Sequence, residues 1–384
     1  MTEAKTILGY LIKNQSRIFE SIKTLVEIES PSKNEEGSRA VVANLANWAE
    51  KIPSVHSIEK IDVEGYGQHL IIRAFGEQRS DKGSIFLMGH TDTVHPCGTL
   101  KERPFRIEDN KAYGPGIFDM KSNCVLILEV IRSLTELNLK PKRELVILLS
   151  CDEEIGSPTG REFVEREARN AKVCLVLEPS ASNGRVKTGR KGTGMFTMRA
   201  KGIPAHAGLD YEKGASAILE LSRQTERLHS LTNLELGTTV NVGVFHGGTT
   251  SNVFAEQAEI DIDMRFSSMT EAARIEREIL STKSFDERVK LEIEGAINRP
   301  PMERNESVVE LFEKAKTVGA SFDYKIDEAQ VGGASDGNFV AALGIPVIDG
   351  LGIKGDGAHA VHEHIIQSDI PYRGALIAGL LLEV

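Results

Sequence analysis

Cysteine is scarce in this sequence of 384 residues, which holds four, spread without paired spacing. Cys97, Cys124, Cys151 and Cys174 are read as free thiols, which excludes a disulfide framework and argues against thiolate metal ligands. Proline numbers only 13, and an apolar fraction of 40% stands beside 27% charged residues, so the composition excludes a disordered chain. No apolar run approaches the roughly 20 residues of a membrane span. Positive charge is short as well: 46 Lys and Arg face 56 Asp and Glu, a formal net charge of -10. That balance speaks against nucleic acid and membrane surfaces as partners, since both require a basic footprint, and favours small molecules or peptides. The opening MTEAKTILGYLIKNQSRIF lacks the basic n-region, continuous apolar h-region and cleavage site of a signal peptide, so a cytoplasmic location is expected.

What is present is enough apolar sequence for two cores, because a single core stops growing near about 250 to 300 residues. The first half alternates short apolar runs with amphipathic stretches, the pattern of an α/β sheet flanked by helices. Strands are expected at 84–88, 144–150 and 173–177, and helices at about 38–51, 119–137 and 160–168. LVILLS and VCLVL have no polar face, as strands covered on both sides must not. From Thr193 to Asn298 the pattern reads βαββαβ, the ferredoxin-like split unit, and QAEIDIDMRF within it alternates strictly, with Ala258, Ile260, Ile262, Met264 and Phe266 on one face. After Arg299 the α/β pattern of the first half resumes, with a helix near 307–317, a strand at 345–348 and a closing helix from about Arg373. The expected organisation is a catalytic domain of residues 1–192 and 299–384, interrupted by an inserted α+β domain at 193–298.

Open α/β sheets place ligands beyond the carboxyl ends of their strands. His90 and Asp92 follow one expected strand, Glu153 and Glu154 the next, and Glu178 a third, while His359 lies in the loop after IPVID. Asp119 follows the glycine-rich YGPGIFD and opens a helix, where an N-cap is its ordinary alternative role. So many acidic and imidazole groups at one sheet edge would repel each other unless a cation joins them. Two imidazoles among carboxylates suit zinc, or a similar divalent ion, better than calcium or magnesium. Five candidate ligands exceed one tetrahedral ion and suffice for two that share a carboxylate. Such a pair, about 3.5 to 4 Å apart, polarises a carbonyl and acidifies a bridging water. Asp92, two residues beyond His90, is placed to accept that ring's second proton. Of Glu153 and Glu154, which leave the chain in different directions, one is expected to ligate and the other to act as a base. His95, His246, His362 and His364 are read as surface or packing residues.

The strings GHTDTVHP, PFRIEDNKAYGPGIFDMK, CDEEIGS, VLEPS, GIPAHAG, GGTTSNV, DIDMRF, GGASDGN and GAHAVHE, in this order, resemble the co-catalytic zinc peptidases related to acetylornithine deacetylase, succinyl-diaminopimelate desuccinylase and glutamate carboxypeptidase. The resemblance covers nearly the whole chain and is nearest to the glutamate carboxypeptidase branch. It implies two zinc ions per subunit, with cobalt or manganese as possible substitutes. His90, Asp119 and Glu178 would surround one ion, and Asp119, Glu154 and His359 the other. It further implies Glu153 as general base, Asp92 as support for His90, and a homodimer built by the inserted domain, which lends His206 to the partner's oxyanion. Arg299, Asn252 and Arg265 would hold a substrate carboxylate. Gly332, Gly333, Ser335 and Asp336 would shape the pocket, although a structural glycine turn explains them as well. The activity so implied is amide hydrolysis that releases a C-terminal amino acid, glutamate first, with N-acyl amino acid deacylation as the alternative. One departure is visible: Ser122-Asn123 stands where Gly-Gly is usual, which bears on packing beside the site rather than on its ligands.

Overall fold

Strands with no polar face need cover on both sides, and the computed structural model, which describes residues 2–79 and 83–384, places them accordingly. Leu145–Ser150 is buried throughout, inside a six-stranded sheet ordered Val55–Val63, Gly67–Ala74, Leu145–Ser150, Ser84–His90, Ala171–Val176 and Val347–Ile348. The last four strands run parallel, and the first two join antiparallel at one edge, so the sheet is mixed. Register aligns His90 with Ser150 and Met88 with Val176, so the three central strands end nearly level. Helix Ser122–Glu136 is buried nearly all round, and Ile7, Leu11, Ile18, Ile22, Leu376 and Leu380 from terminal helices join the same core. Each such side chain, fully withdrawn from water, stabilises the fold by roughly 1.5 to 3 kcal/mol.

Helix Glu35–Ala49 begins three residues before the expected start because Asn34 caps it, accepting a hydrogen bond from Gly37 N, with Glu35 and Glu36 complementing the helix dipole. The closing helix, Ile370–Glu383, likewise starts ahead of the expected position, with proline in its first turn. Helices Glu3–Lys13 and Gln15–Val26 and the hairpin Val55–Ala74 add to the elements expected from the sequence. A second, four-stranded sheet is ordered Gly355–Asp356, His364–Ile366, Lys111–Tyr113 and Arg106–Glu108. No helix among the described residues is long and apolar enough to cross a membrane.

The chain divides into two units: Met1–Gly189, Arg304–Val331 and Ser335–Val384 form the first, and Arg190–Glu303 with Gly332–Ala334 the second. The second has the order strand Gly192–Lys201, helix Ala217–His229, strands Thr239–Gly247 and Gln257–Phe266, helix Met269–Leu280 and strand Lys290–Arg299. Its antiparallel sheet packs Phe196, Met198, Ile260, Ile262 and Met264 against Leu221, Leu228, Ile275 and Ile279 of the two helices. The opposite face of the sheet is mainly polar, with Glu259, Asp261, Asp263 and Arg265 on it beside the exposed Met195 and Val244.

Candidate metal centre

The level strand ends bring His90, Glu153, Glu154 and Glu178 to one edge of the main sheet. His90 is buried, and its Nε2 lies 3.1 Å from Asp119 Oδ1 and 3.5 Å from Glu178 Oε1. His359 Nε2 lies 3.3 Å from Asp119 Oδ2 and 3.0 Å from Glu154 Oε2. The two oxygens of Asp119 therefore face two different imidazoles, each with a second carboxylate beside it. Glu153 offers a carboxylate oxygen that lies, with donor atoms of His90 and Glu178, inside a group spanning at most 4.8 Å.

The chain reaches this geometry through unusual local structure. Asp119 does not open a helix: Ser122 does, and Asp119 sits in the distorted turn Ile117–Lys121 with φ -119° and ψ 91°. The N-cap role is thus absent: Lys121 stands at that position without a side-chain cap, and the Asp119 oxygens face imidazoles. Glu363, buried, accepts from Gly116 N at 2.9 Å, Phe118 N at 2.9 Å and Asp119 N at 3.0 Å. His359 lies in the connection between Gly355–Asp356 and His364–Ile366, and His364 pairs with Tyr113, so the small sheet carries His359 toward the Asp119 turn. His359 itself has a positive φ of 64°, uncommon outside glycine but a region that histidine enters more readily than most residues.

Asp92 lies against the second ring nitrogen of His90 with two acceptors. The nearer acceptor for His90 Nδ1 is the backbone oxygen of Asp92 at 2.9 Å, with its carboxylate at 3.4 Å. That carboxylate also accepts from Glu153 N and Glu154 N, both at 3.2 Å, and from Ser32 Oγ at 2.6 Å. One residue thereby orients the first imidazole and, through its side chain, sets the two adjacent glutamates. His95 and His364 are buried rather than on the surface, and His95 bonds Glu363 at 2.6 Å. At the departure from Gly-Gly, Asn123 accepts from Ile353 N at 3.0 Å, tying the start of its helix to the loop after Val347–Ile348.

The electrostatics of the cluster ask for positive charge. Hydrogen bonds to Asp119 and then Glu154 push the His359 imidazole up to about 10. Burial opposes charge on His90, yet hydrogen bonds to Asp119 and Asp92 and the field of Glu178 outweigh it and raise this group well above its ordinary value. Burial raises Glu154, although His359 pulls it back, and the buried Asp119 is held low because its hydrogen bonds to both imidazoles outweigh desolvation. Glu154 Oε1 is buried without a hydrogen-bond partner. An orphaned carboxylate oxygen is costly unless something else meets it, and the donor set of imidazoles and carboxylates fits divalent cations, which His90, Asp119, Glu154, Glu178 and His359 would hold.

The remaining expected residues are in the second unit, Ser335 and Asp336 excepted. His206 is exposed, and its Nδ1 accepts from Gly208 N and Leu209 N, each at 3.2 Å, so the ring proton is on Nε2. Ala207 N donates to Asn252 O at 2.9 Å, which makes His206 and Asn252 neighbours. Arg265 and Arg299 both pair with Thr193 of the strand between them, so the two arginines share the polar face of the sheet at one end. Arg265 is bonded to Asp263 at 2.8 Å. Gly333 O accepts from Arg190 at 3.0 Å. Ser335 is buried with its hydroxyl given to Asp349 at 2.6 Å, and Asp336, also buried, accepts from the Ser157 hydroxyl, so both pack rather than line an open contact.

A family model described as Peptidase family M20/M25/M40 matches residues 86–383. Carboxypeptidase G2 of Pseudomonas sp. (strain RS-16) is 28% identical over 388 residues, spanning 96% of this chain and 90% of that protein. Succinyl-diaminopimelate desuccinylase of Delftia acidovorans is 24% identical over 379 residues, spanning 92% and 95%. Among solved structures, a tripeptidase from Staphylococcus aureus aligns with a TM-score of 0.76 at 20% identity, covering 96% of this chain and 98% of that one. An M20 family metallo-carboxypeptidase from Sulfolobus solfataricus aligns with a TM-score of 0.71 at 16% identity, covering 95% and 98%. At these identities the structural likeness is one of fold.

Proposed function

Since this chain belongs to the peptidase family M20/M25/M40 and is a hydrolytic enzyme, we propose that it is a two-zinc carboxypeptidase that cuts the amide bond before a C-terminal amino acid, glutamate first. The observation that carries the reading is the division of Asp119, one oxygen toward His90 and the other toward His359. When bound, two divalent cations polarise the scissile carbonyl and acidify the attacking water.

Glu153 takes the proton of that water and returns it to the leaving amine. Asp92 keeps Glu153 in place through the backbone N–H it accepts. His206, with its proton on Nε2, donates to the tetrahedral oxyanion of the partner subunit in a homodimer. Arg299 and Arg265, one on either side of Thr193, and Asn252 next to His206 bind the carboxylate of the released residue; a planar guanidinium suits that group. For Arg265 this requires release from Asp263.

Likeness to succinyl-diaminopimelate desuccinylase favours a second reading, removal of an acyl group from an amino acid. Turnover by the zinc-reconstituted enzyme, measured on peptides and N-acyl compounds in which only the C-terminal residue varies, separates the two. Preference for glutamate across several acyl groups supports the carboxypeptidase. Preference for N-succinyl or N-acetyl diamino acids overturns it.

A further inference from the structure

The turn that presents Asp119 has no strand or helix to satisfy its backbone, yet three of its N–H groups are satisfied by one side chain. Glu363 Oε1 accepts from Phe118 N and Asp119 N, and Oε2 accepts from Gly116 N. A fourth donor arrives from His95, whose Nε2 lies 2.6 Å from Oε2. The direction of that bond follows from the next one: Arg103 Nη2 lies 3.3 Å from His95 Nδ1, and since a guanidinium can only donate, Nδ1 accepts and Nε2 carries the proton. Arg103 also donates to Ala360 O, the carbonyl adjoining His359. Glu363 is 2% exposed and His95 6%, so water does not compete for the bonds to Glu363, while Arg103 is half-buried. One relay therefore grips the backbone at both Asp119 and the residue after His359.

We infer that Glu363, oriented by His95 and Arg103, is the positioning residue that sets Asp119 between the two imidazoles. The inference rests on the dinuclear reading of the metal centre. Only a carboxylate meets the requirement, because four donors converge on two oxygens and each oxygen must accept twice. A glutamine has the same shape but one acceptor oxygen, so its amide N–H₂ would face either Gly116 N and His95 or Phe118 N and Asp119 N, donor against donor. The turn would then move, and with it the angle between the two oxygens of Asp119.

A buried carboxylate with several backbone donors could stabilise the fold and nothing more, and the second unit supplies a matched control. Glu220 is also 2% exposed and accepts from Phe285 N at 3.0 Å, Asp286 N at 3.1 Å and Gln224 Nε2 at 2.8 Å. Metal-stripped full-length protein is titrated with Co²⁺, followed by visible absorption and by metal analysis after dialysis, for wild type, Glu363→Gln and Glu220→Gln, with thermal unfolding of each.

The expected result is two Co²⁺ per wild-type chain, affinity weakened roughly 10- to 100-fold with an altered d–d spectrum in Glu363→Gln, and wild-type affinity and spectrum in Glu220→Gln. Wild-type affinity and spectrum in a folded Glu363→Gln overturn the inference, as does equal weakening in Glu220→Gln. Should Glu363→Gln not fold, His95→Ala decides: it removes one of the four donors, so weakened Co²⁺ binding supports the relay and unchanged binding overturns it. A wild-type chain that takes fewer than two Co²⁺ defeats the dinuclear reading itself, and this inference with it.

Discussion

Replacement of Glu153 by glutamine should separate proton transfer from metal binding. The backbone of Glu153 is anchored by the carboxylate of Asp92, which also anchors Glu154, so the loop has reason to stay in place when one carboxylate becomes an amide. Glu154 keeps its position against His359, and Glu178 against His90, so metal content should remain that of wild type. What is lost is a base within reach of the attacking water, a loss of about 10²- to 10⁴-fold in rate, or about 2.7 to 5.5 kcal/mol on the barrier. The loss should fall on kcat with KM little changed, because the amide still fills the same space. Glu154→Gln should do the reverse and first lower metal affinity. The assay is steady-state turnover of an N-acyl glutamate, paired with metal analysis of the same samples. Turnover of Glu153→Gln near wild type at full metal content would refute the assignment, and metal loss equal to that of Glu154→Gln would show that the two roles are exchanged.

Three further outcomes follow from the structure. A methyl group at Gly352 would overlap Asn123 Nδ2 and the carbonyl oxygen of Glu178, so Gly352→Ala should cost about 1 to 3 kcal/mol in thermal unfolding and weaken metal binding; a variant with unchanged metal affinity would count against it. Glu271 is held down to about 2 from an ordinary 4.5 by hydrogen bonds from Arg274 and Thr238. A depressed carboxyl stabilises the fold above its unfolded value and loses that contribution as pH falls from about 4.5 through 2, so Glu271→Gln should flatten acid unfolding in that window, as followed by circular dichroism; an identical acid profile would refute the cause given. Arg299→Lys keeps the charge but not the planar fork, so KM for glutamate-terminated substrates should rise about tenfold with kcat little changed, whereas an unchanged KM would remove Arg299 from carboxylate binding.

Periodicity is most informative where one face of an element is buried and the other wet. The alternation in QAEIDIDMRF gives both ends of Gln257–Phe266, because a slip of one residue would turn Ile260 and Ile262 outward. Apolar runs locate the central strands, and chain order after them points to the edge where His90, Glu153, Glu154 and Glu178 gather. The small sheet that carries His359 is not legible, since its strands are two or three residues long and have no period to read. Asp119 misleads for a related reason: a helix does follow, but three turn N–H groups bond Glu363, 244 or more residues away, and no local pattern records that. Glu363 itself leaves one faint signal. Apart from Ile117 N, which donates to Gly114 O, the turn in YGPGIFD leaves N–H groups that need a distant acceptor. Resemblance, rather than spacing, assigns the separate roles of Glu153 and Glu154, and the anchoring of both by Asp92 becomes visible only in three dimensions.

Anomalous scattering from crystals of the zinc-loaded protein tests the central claim most directly. Two peaks per chain, about 3.5 to 4 Å apart, with one oxygen of Asp119 on each, His90 and Glu178 on the first and Glu154 and His359 on the second, are the predicted result. A lone peak, or two peaks that do not share Asp119, would contradict it.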